Sequence, residues 1–175
     1  MNQSAAVPDS PGSLLSFYDD ALPHVFGYLS ARCGRSALAE DLTAETFLAA
    51  VDAVRRESPP ALSVPWVIGV ARHKLVDHWR RQAREERSFR VVGEEGPQTL
   101  DDPWDTKLDA IRARETLDAL SPHHRAALTL RYLDDLPVAE VAALLERTVH
   151  ATEALLVRSR AAFRRAYCAK EASDG

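Results

Sequence analysis

Apolar residues recur every three or four positions through most of the chain, the spacing of amphipathic helices. Leu15, Tyr18, Leu22, Val25 and Leu29 predict a helix over residues 13–31, which Pro23 should kink or split. Cys33-Gly34-Arg35 reads as a stop, and Ser36 as the N-cap of a second helix carrying Leu38, Leu42, Phe47, Val51 and Val54 as far as Ser58-Pro59-Pro60. A third helix follows Pro65 and runs to about Arg87. Its buried side is Val67, Ala71 and Leu75 with Trp79 at the margin, while His73, Asp77, Arg80, Arg84 and Arg87 line another side. Residues 89–106 have no helical period and mix Gly, Pro and acids, as a flexible linker does. Periodicity resumes with Leu108, Ile111, Leu117 and Leu120. Ser121-Pro122 then starts a helix over residues 122–133. After a turn at Asp134-Asp135, Pro137 opens a short helix with Val138, Val141, Ala142 and Leu145. A break at Glu146-Arg147 precedes Thr148, the cap of a last helix to about Tyr167. No strand pattern or internal repeat competes with this reading. The expected fold is all-α, with two small helical domains (13–88 and 107–168) joined by an acidic flexible linker, a disordered N-terminal tail over 1–12 and a C-terminal tail over 169–175.

Composition narrows the class. The 175 residues are 46% hydrophobic and 27% charged, enough apolar material for a globular core. The longest uncharged apolar run, 61–70, is half a membrane span and holds Pro65 and Gly69, so no transmembrane helix is expected. The N-terminal stretch has neither the basic flank nor the apolar core of a secretory signal, and a cytoplasmic protein is the expectation. Cys33 and Cys168 cannot by themselves build a disulfide framework or a four-ligand zinc site. His24, His123 and His124 have no metal-ligand spacing with them and fit surface or cap positions. No metal or cofactor is expected.

The net charge of −4 conceals an uneven distribution. Residues 69–90 carry seven basic side chains against three acids, 91–109 carry six acids and one lysine, and 147–167 carry five arginines against Glu153. Two basic segments flanking an acidic one suggest two polyanion-binding faces. The short helix, tight turn and longer basic helix near the C-terminus have the layout of a helix-turn-helix, whose second helix enters the major groove. Val141, Ala142, Leu145, Val149, Leu156 and Phe163 would be buried. His150, Ala151, Glu153 and Ala154 would face outward, with Arg158, Arg160, Arg164 and Arg165 further along to neutralise phosphates. A helical hairpin with a solvated arginine face is the competing reading. In the third helix, Trp66 and Trp79 are interleaved with Arg72, His73, Lys74, His78, Arg80 and Arg81, a mixture suited to single-stranded nucleic acid. Trp66 fits the core better; Trp79 fits either role.

Three stretches resemble extracytoplasmic-function (group IV) bacterial sigma factors. Residues 40–47, EDLTAETF, resemble that family's AEDLTQETF stretch. Residues 65–81, PWVIGVARHKLVDHWRR, resemble PWLxxIARNxxxDxxRR. Leu120-Ser121-Pro122, Leu128 to Tyr132 and Val138 to Ala142 resemble the opening of the family's second domain. The similarity runs in order from about Leu15 to Tyr167. It implies a factor that binds core RNA polymerase, melts the minus-ten promoter element with its first domain and reads the minus-thirty-five element with its second.

Carried onto this chain, Asp41, Leu42, Glu45, Thr46 and Phe47 would contact the polymerase. The carboxylates at i and i+4 form one acidic stripe suited to a basic partner helix. Arg72, His73, Lys74, Asp77, His78, Trp79, Arg80, Arg81 and Arg84 would meet minus-ten DNA, with His73 standing where the family commonly has Asn. Arg147, Thr148, His150, Ala151, Glu153, Ala154 and Arg158 would meet the minus-thirty-five element. Glu94, Glu95, Asp101 and Asp102 of the linker would reach toward the polymerase's nucleic-acid channel. Such factors are commonly held by an anti-sigma factor. The chain departs from the family where Glu146 replaces a turn glycine, at about 1 kcal/mol if φ stays positive, and where Glu153 and Leu155 replace cations. A stand-alone helix-turn-helix regulator, binding operator DNA without polymerase, is the alternative. An enzyme would need a pocket, nucleophile or metal beyond Asp41 and Glu45, and no catalytic residue or small-molecule substrate is expected.

Overall fold

A computed structural model describes residues 11–56, 58–89 and 110–173. Residues 1–10 of the tail expected over 1–12 lie outside the described residues, and residues 11 and 12 open the first helix. Also outside are residues 90–109, which hold Glu94, Glu95, Asp101 and Asp102 of the expected linker and Leu108 of the helix expected after it. Every described element is helical: α1 (Pro11–Cys33), α2 (Ser36–Val54), α3 (Val64–Phe89), α4 (Ala110–Ala119), α5 (Pro122–Leu128) with a π-helical turn (Thr129–Leu133), α6 (Val138–Leu144) and α7 (Val149–Ser173). Two compact units, Met1–Leu75 and Val76–Gly175, divide inside α3.

In the first unit α1 packs on α2. Pro23 does not split α1, which runs as one helix from Pro11 to Cys33. The proline is exposed, so the Asp19 carbonyl that loses its helical donor can turn to water. Gly34, at φ 68°, takes the left-handed position that closes α1. The buried line of α1 is Ala21, Val25, Leu29 and Cys33, whereas Leu15, expected in the core, is 63% exposed and Tyr18 is exposed too.

In α2 the core side is made largely of small residues, Ala39, Thr43, Thr46, Ala50 and Ala53, around Leu42 and Phe47. The two threonines are buried without penalty because each hydroxyl donates to the carbonyl four residues back, Thr43 to Ala39 and Thr46 to Leu42, both at 2.6 Å. Ser36 is not the cap: it is the first helical residue, its hydroxyl donating to Glu40 at 2.9 Å, and Arg35 holds the extended N-cap position. For α3 the cap is Ser63, whose Oγ accepts the Trp66 amide hydrogen at 3.3 Å. Val67, Ala71, Leu75 and Trp79 are all buried, and Trp66 is half-buried.

The second unit is organised on α7, against which α4, α5 and α6 pack. Leu120, Leu128, Phe163 and Tyr167 form one cluster, with the two rings stacked at 5.9 Å. Arg112 closes it, its guanidinium 4.3 Å above the Tyr167 ring and donating to that hydroxyl at 2.8 Å. Arg125 donates to the carbonyls of Leu117, Asp118 and Leu120, satisfying acceptors that the end of α4 leaves open. Ser121 precedes Pro122 as expected but makes no side-chain cap bond. Helix α7 extends through 169–173, where a tail was expected.

The turn between α6 and α7 is a Schellman closure: the Arg147 amide donates to Ala142 at 2.9 Å and the Glu146 amide to Ala143 at 3.2 Å. Glu146 holds its left-handed position with φ 53°, a conformation that strains a residue bearing Cβ by about 1–2 kcal/mol. Its carboxylate pairs with Arg80, an exposed pair that contributes less. We predict that Glu146→Gly stabilises the second unit by roughly 1 kcal/mol, the relief of strain exceeding the added freedom of the unfolded chain. Chemical denaturation followed by circular dichroism measures it, and a lower midpoint in the variant would show that φ 53° is unstrained.

Candidate nucleic-acid and polymerase interfaces

The first candidate surface lies in the Met1–Leu75 unit. Asp41 and Glu45 are exposed on α2, as the acidic stripe requires. Leu42 and Thr46 are not available beside them: both face the core, and Phe47 is buried except at one edge, where Tyr18 meets it at 4.6 Å in a T-shaped pair. The apolar surface a partner could touch is instead a groove of about 500 Å³ lined by Tyr18, Leu22, Phe26, Ala44 and Phe47, with Glu40 at its rim. Sequence reasoning placed Tyr18 and Leu22 in the core because they share the period of α1. Their period is right; the next face of the helix holds the core.

The second surface is the cationic side of α3. His73, Asp77, Arg81 and Arg84 are exposed, while Arg72, Lys74, His78 and Arg80 are half-buried. Trp79 is 1% exposed and belongs to the core, so it cannot stack on a base. Arg80 is tied to Asp77 at 3.2 Å and to Glu146, so this cation is partly neutralised in the free protein.

The third surface is the start of α7. Thr148 caps it, its Oγ1 accepting the Ala151 amide hydrogen at 3.1 Å, which keeps that hydroxyl on the backbone. His150 and Glu153 are exposed; Ala151, Ala154, Arg147 and Arg158 are half-buried. Val149, expected inside, is 47% exposed. Leu155 is 1% exposed, so the leucine that replaces a family cation removes no groove contact: its step on the helix turns it inward. Glu153, the other position in this stretch where a cation was expected from the resemblance, is exposed.

Sequence reasoning missed a cluster. Arg80, Arg84, Arg87, His123 and Arg147, spread over 68 positions of sequence, line one cavity of the second unit. His123 is half-buried and His124 buried, contrary to the surface or cap positions expected. Burial first, then the neighbouring His124, Arg87, Arg147 and Arg158, lowers the His123 pKa to about 4. Burial and the charges of Arg87 and Arg158 also lower that of Arg147. Among the described residues no cluster of His, Cys, Asp and Glu could hold a metal ion, and no helix is long and apolar enough to cross a membrane.

Residues 17–85 match the family model of sigma-70 region 2, and residues 110–163 match that of sigma-70 region 4. The RNA polymerase sigma factor CarQ of Myxococcus xanthus is 30% identical over 70% of each chain. The chain belongs to the sigma-70 family. Within it, the extracytoplasmic-function sigma factor BldN of Streptomyces coelicolor is 30% identical over 89% of this chain, which spans 59% of the length of that relative. The extracytoplasmic-function sigma factor SigL of Mycobacterium tuberculosis is 27% identical over 79% of this chain and 80% of that relative. A solved structure of the sigma factor RpoE of Bartonella quintana, in complex with the anti-sigma factor NepR, shares the fold with a TM-score of 0.52, 18% identity and coverage of 87% of this chain and 94% of that one.

The His123 shift has a sign. Between pH 6.5 and about 4 the unfolded chain binds a proton at His123 that the folded chain does not, so stability is complete above pH 6.5 and falls as pH drops toward 4. We predict that His123→Gln flattens this part of the pH–stability profile of the second unit. Thermal unfolding from pH 7.5 to 4.5 checks it, and parallel profiles for the two proteins would contradict the assignment.

Proposed function

We propose that this chain is an alternative sigma factor: it binds core RNA polymerase, opens a specific set of promoters and starts transcription in the cytoplasm, with no catalytic step of its own. The observation that carries this reading is the presence, in one chain and in order, of a region 2 whose helix α3 buries its apolar side and presents cations, and a region 4 with a capped helix-turn-helix. A stand-alone operator-binding regulator accounts for the second and leaves the first without a use.

In this reading Asp41 and Glu45, with the Tyr18–Phe47 groove beside them, meet the polymerase; Leu42 and Thr46 hold the helix that displays them. Opening DNA costs a few kcal/mol for each unstacked step. Phosphate contacts from Arg72, Lys74, Arg80, Arg81 and Arg84 offset that cost, and His73 and Asp77 lie on the same side to meet an extruded base. At the minus-thirty-five element Arg147 and Arg158 neutralise phosphates, while His150, Ala151, Glu153 and Ala154 face the base edges. Glu153 can accept from a cytosine amino group. The Bartonella relative was crystallised with its anti-sigma factor, and a protein of that class is the partner we propose for holding this factor inactive. Domain limits of 13–88 and 107–168 belong to the same proposal.

Charge reversal of Asp41 and Glu45 to Lys should reduce retention of core polymerase in a pull-down at least tenfold without unfolding the protein, since both carboxylates are exposed; retention at the native level would remove them from the interface. Arg80→Ala with Arg81→Ala should lower the slope of log affinity against log salt by about 2 and reduce permanganate reactivity of promoter thymines. Undiminished reactivity would count against α3 as the melting helix. Glu153→Lys should redirect promoter choice at the minus-thirty-five element, and an identical start-site profile would contradict its position in the groove.

A further inference from the structure

The cavity of the second unit shares Arg80, Arg84 and Arg147 with the proposed DNA faces and adds Arg87 and His123, which neither face uses. Its volume is about 410 Å³, and Arg84, Arg87 and Arg147 line it together with the apolar Trp79, Ala126 and Leu155. Glu146 also lines it, but its carboxylate is engaged with Arg80. Among the described residues no carboxylate pairs with Arg84, Arg87 or Arg147. Three arginines without a carboxylate partner among the described residues thus line a space the size of a small-ligand site, and Arg87 and Arg147 are close enough to feel each other's charge. A duplex backbone is convex and continuous and would rest across such a rim without entering.

We propose that this cavity binds a compact polyphosphate anion, an inorganic polyphosphate or the phosphate chain of a nucleotide, held by Arg84, Arg87 and Arg147. Each planar guanidinium presents a fork of donors that matches two phosphate oxygens. Three of them need several adjacent negative charges, more than a single sulfate or carboxylate supplies. Burial first and neighbouring cations second depress His123 and Arg147, and an entering anion relieves the second of these causes. Because Arg84 and Arg147 also belong to the proposed promoter contacts, the bound anion withdraws them from DNA. That consequence rests on the promoter-binding reading; the anion site itself does not.

Calorimetric titration of the full chain at about 0.15 M salt with tripolyphosphate, ATP and sulfate tests the site. One tripolyphosphate should bind per chain at least tenfold more tightly than sulfate. Arg87→Ala should weaken it at least tenfold, and Arg56→Ala, an exposed arginine outside the cavity, should leave it unchanged. Equal binding of ATP and tripolyphosphate assigns the phosphate chain alone as the ligand; tighter ATP assigns a nucleotide. On the unmutated protein, NMR titration of the His123 imidazole should give a pKa that rises from about 4 when tripolyphosphate is present. No saturable binding, equal losses in the two arginine variants, or an unmoved His123 would each overturn the proposal. These readouts need neither polymerase nor promoter, so their failure leaves the sigma-factor reading untouched.

Discussion

The apolar line Val67, Ala71, Leu75 and Trp79 sets what α3 can do. Four side chains at a spacing of four residues are almost fully buried, and at about 25 cal/mol per Å² of apolar area their burial fixes the helix's rotation about its own axis. Once that rotation is fixed, His73, Asp77, Arg80, Arg81 and Arg84 must point elsewhere. The same constraint takes Trp79 out of the binding surface and leaves its neighbours in it. The cationic face of this helix is therefore a consequence of core packing, with the cations placed wherever the apolar line is not.

The turn before α7 follows a different logic. Its two Schellman hydrogen bonds close α6 and aim α7, and they demand a left-handed residue whatever the side chain. Glu146 accepts the strain and directs its carboxylate to Arg80. A glycine would relieve the backbone and leave Arg80 paired only with Asp77 among the described residues. The substitution thus exchanges backbone ease for a carboxylate set among cations, which tempers the attraction of this surface for any polyanion.

Helix number, order and type were legible because the apolar period is strong and the breaks at Gly34, Pro59-Pro60 and Glu146-Arg147 are chemically clear. What escaped the sequence was rotation at the margins of each stripe. Leu15, Tyr18 and Val149 fit the period yet stand outside, since a stripe wider than the available core leaves one edge exposed. Thr43 and Thr46 look polar but enter the core once their hydroxyls turn back on the backbone. Leu155 looked like a lost groove cation until its helical step placed it inside. The arginine cavity was illegible in principle: Arg87, His123 and Arg147 share no local pattern, and only tertiary packing brings them together. The family resemblance, by contrast, was readable from three motifs in register, and it carried Leu42, Thr46 and Trp79 into contact lists that burial removes.

The activity proposed for this chain is the conversion of core polymerase into a promoter-specific enzyme. Run-off transcription with purified core polymerase on a library of genomic promoters, with and without the protein, tests it most directly. New start sites that appear only when the protein is present, and that share a sequence at minus ten and minus thirty-five, are the predicted result. Tight duplex binding with no initiation at any promoter would contradict it and return the chain to the class of stand-alone regulators.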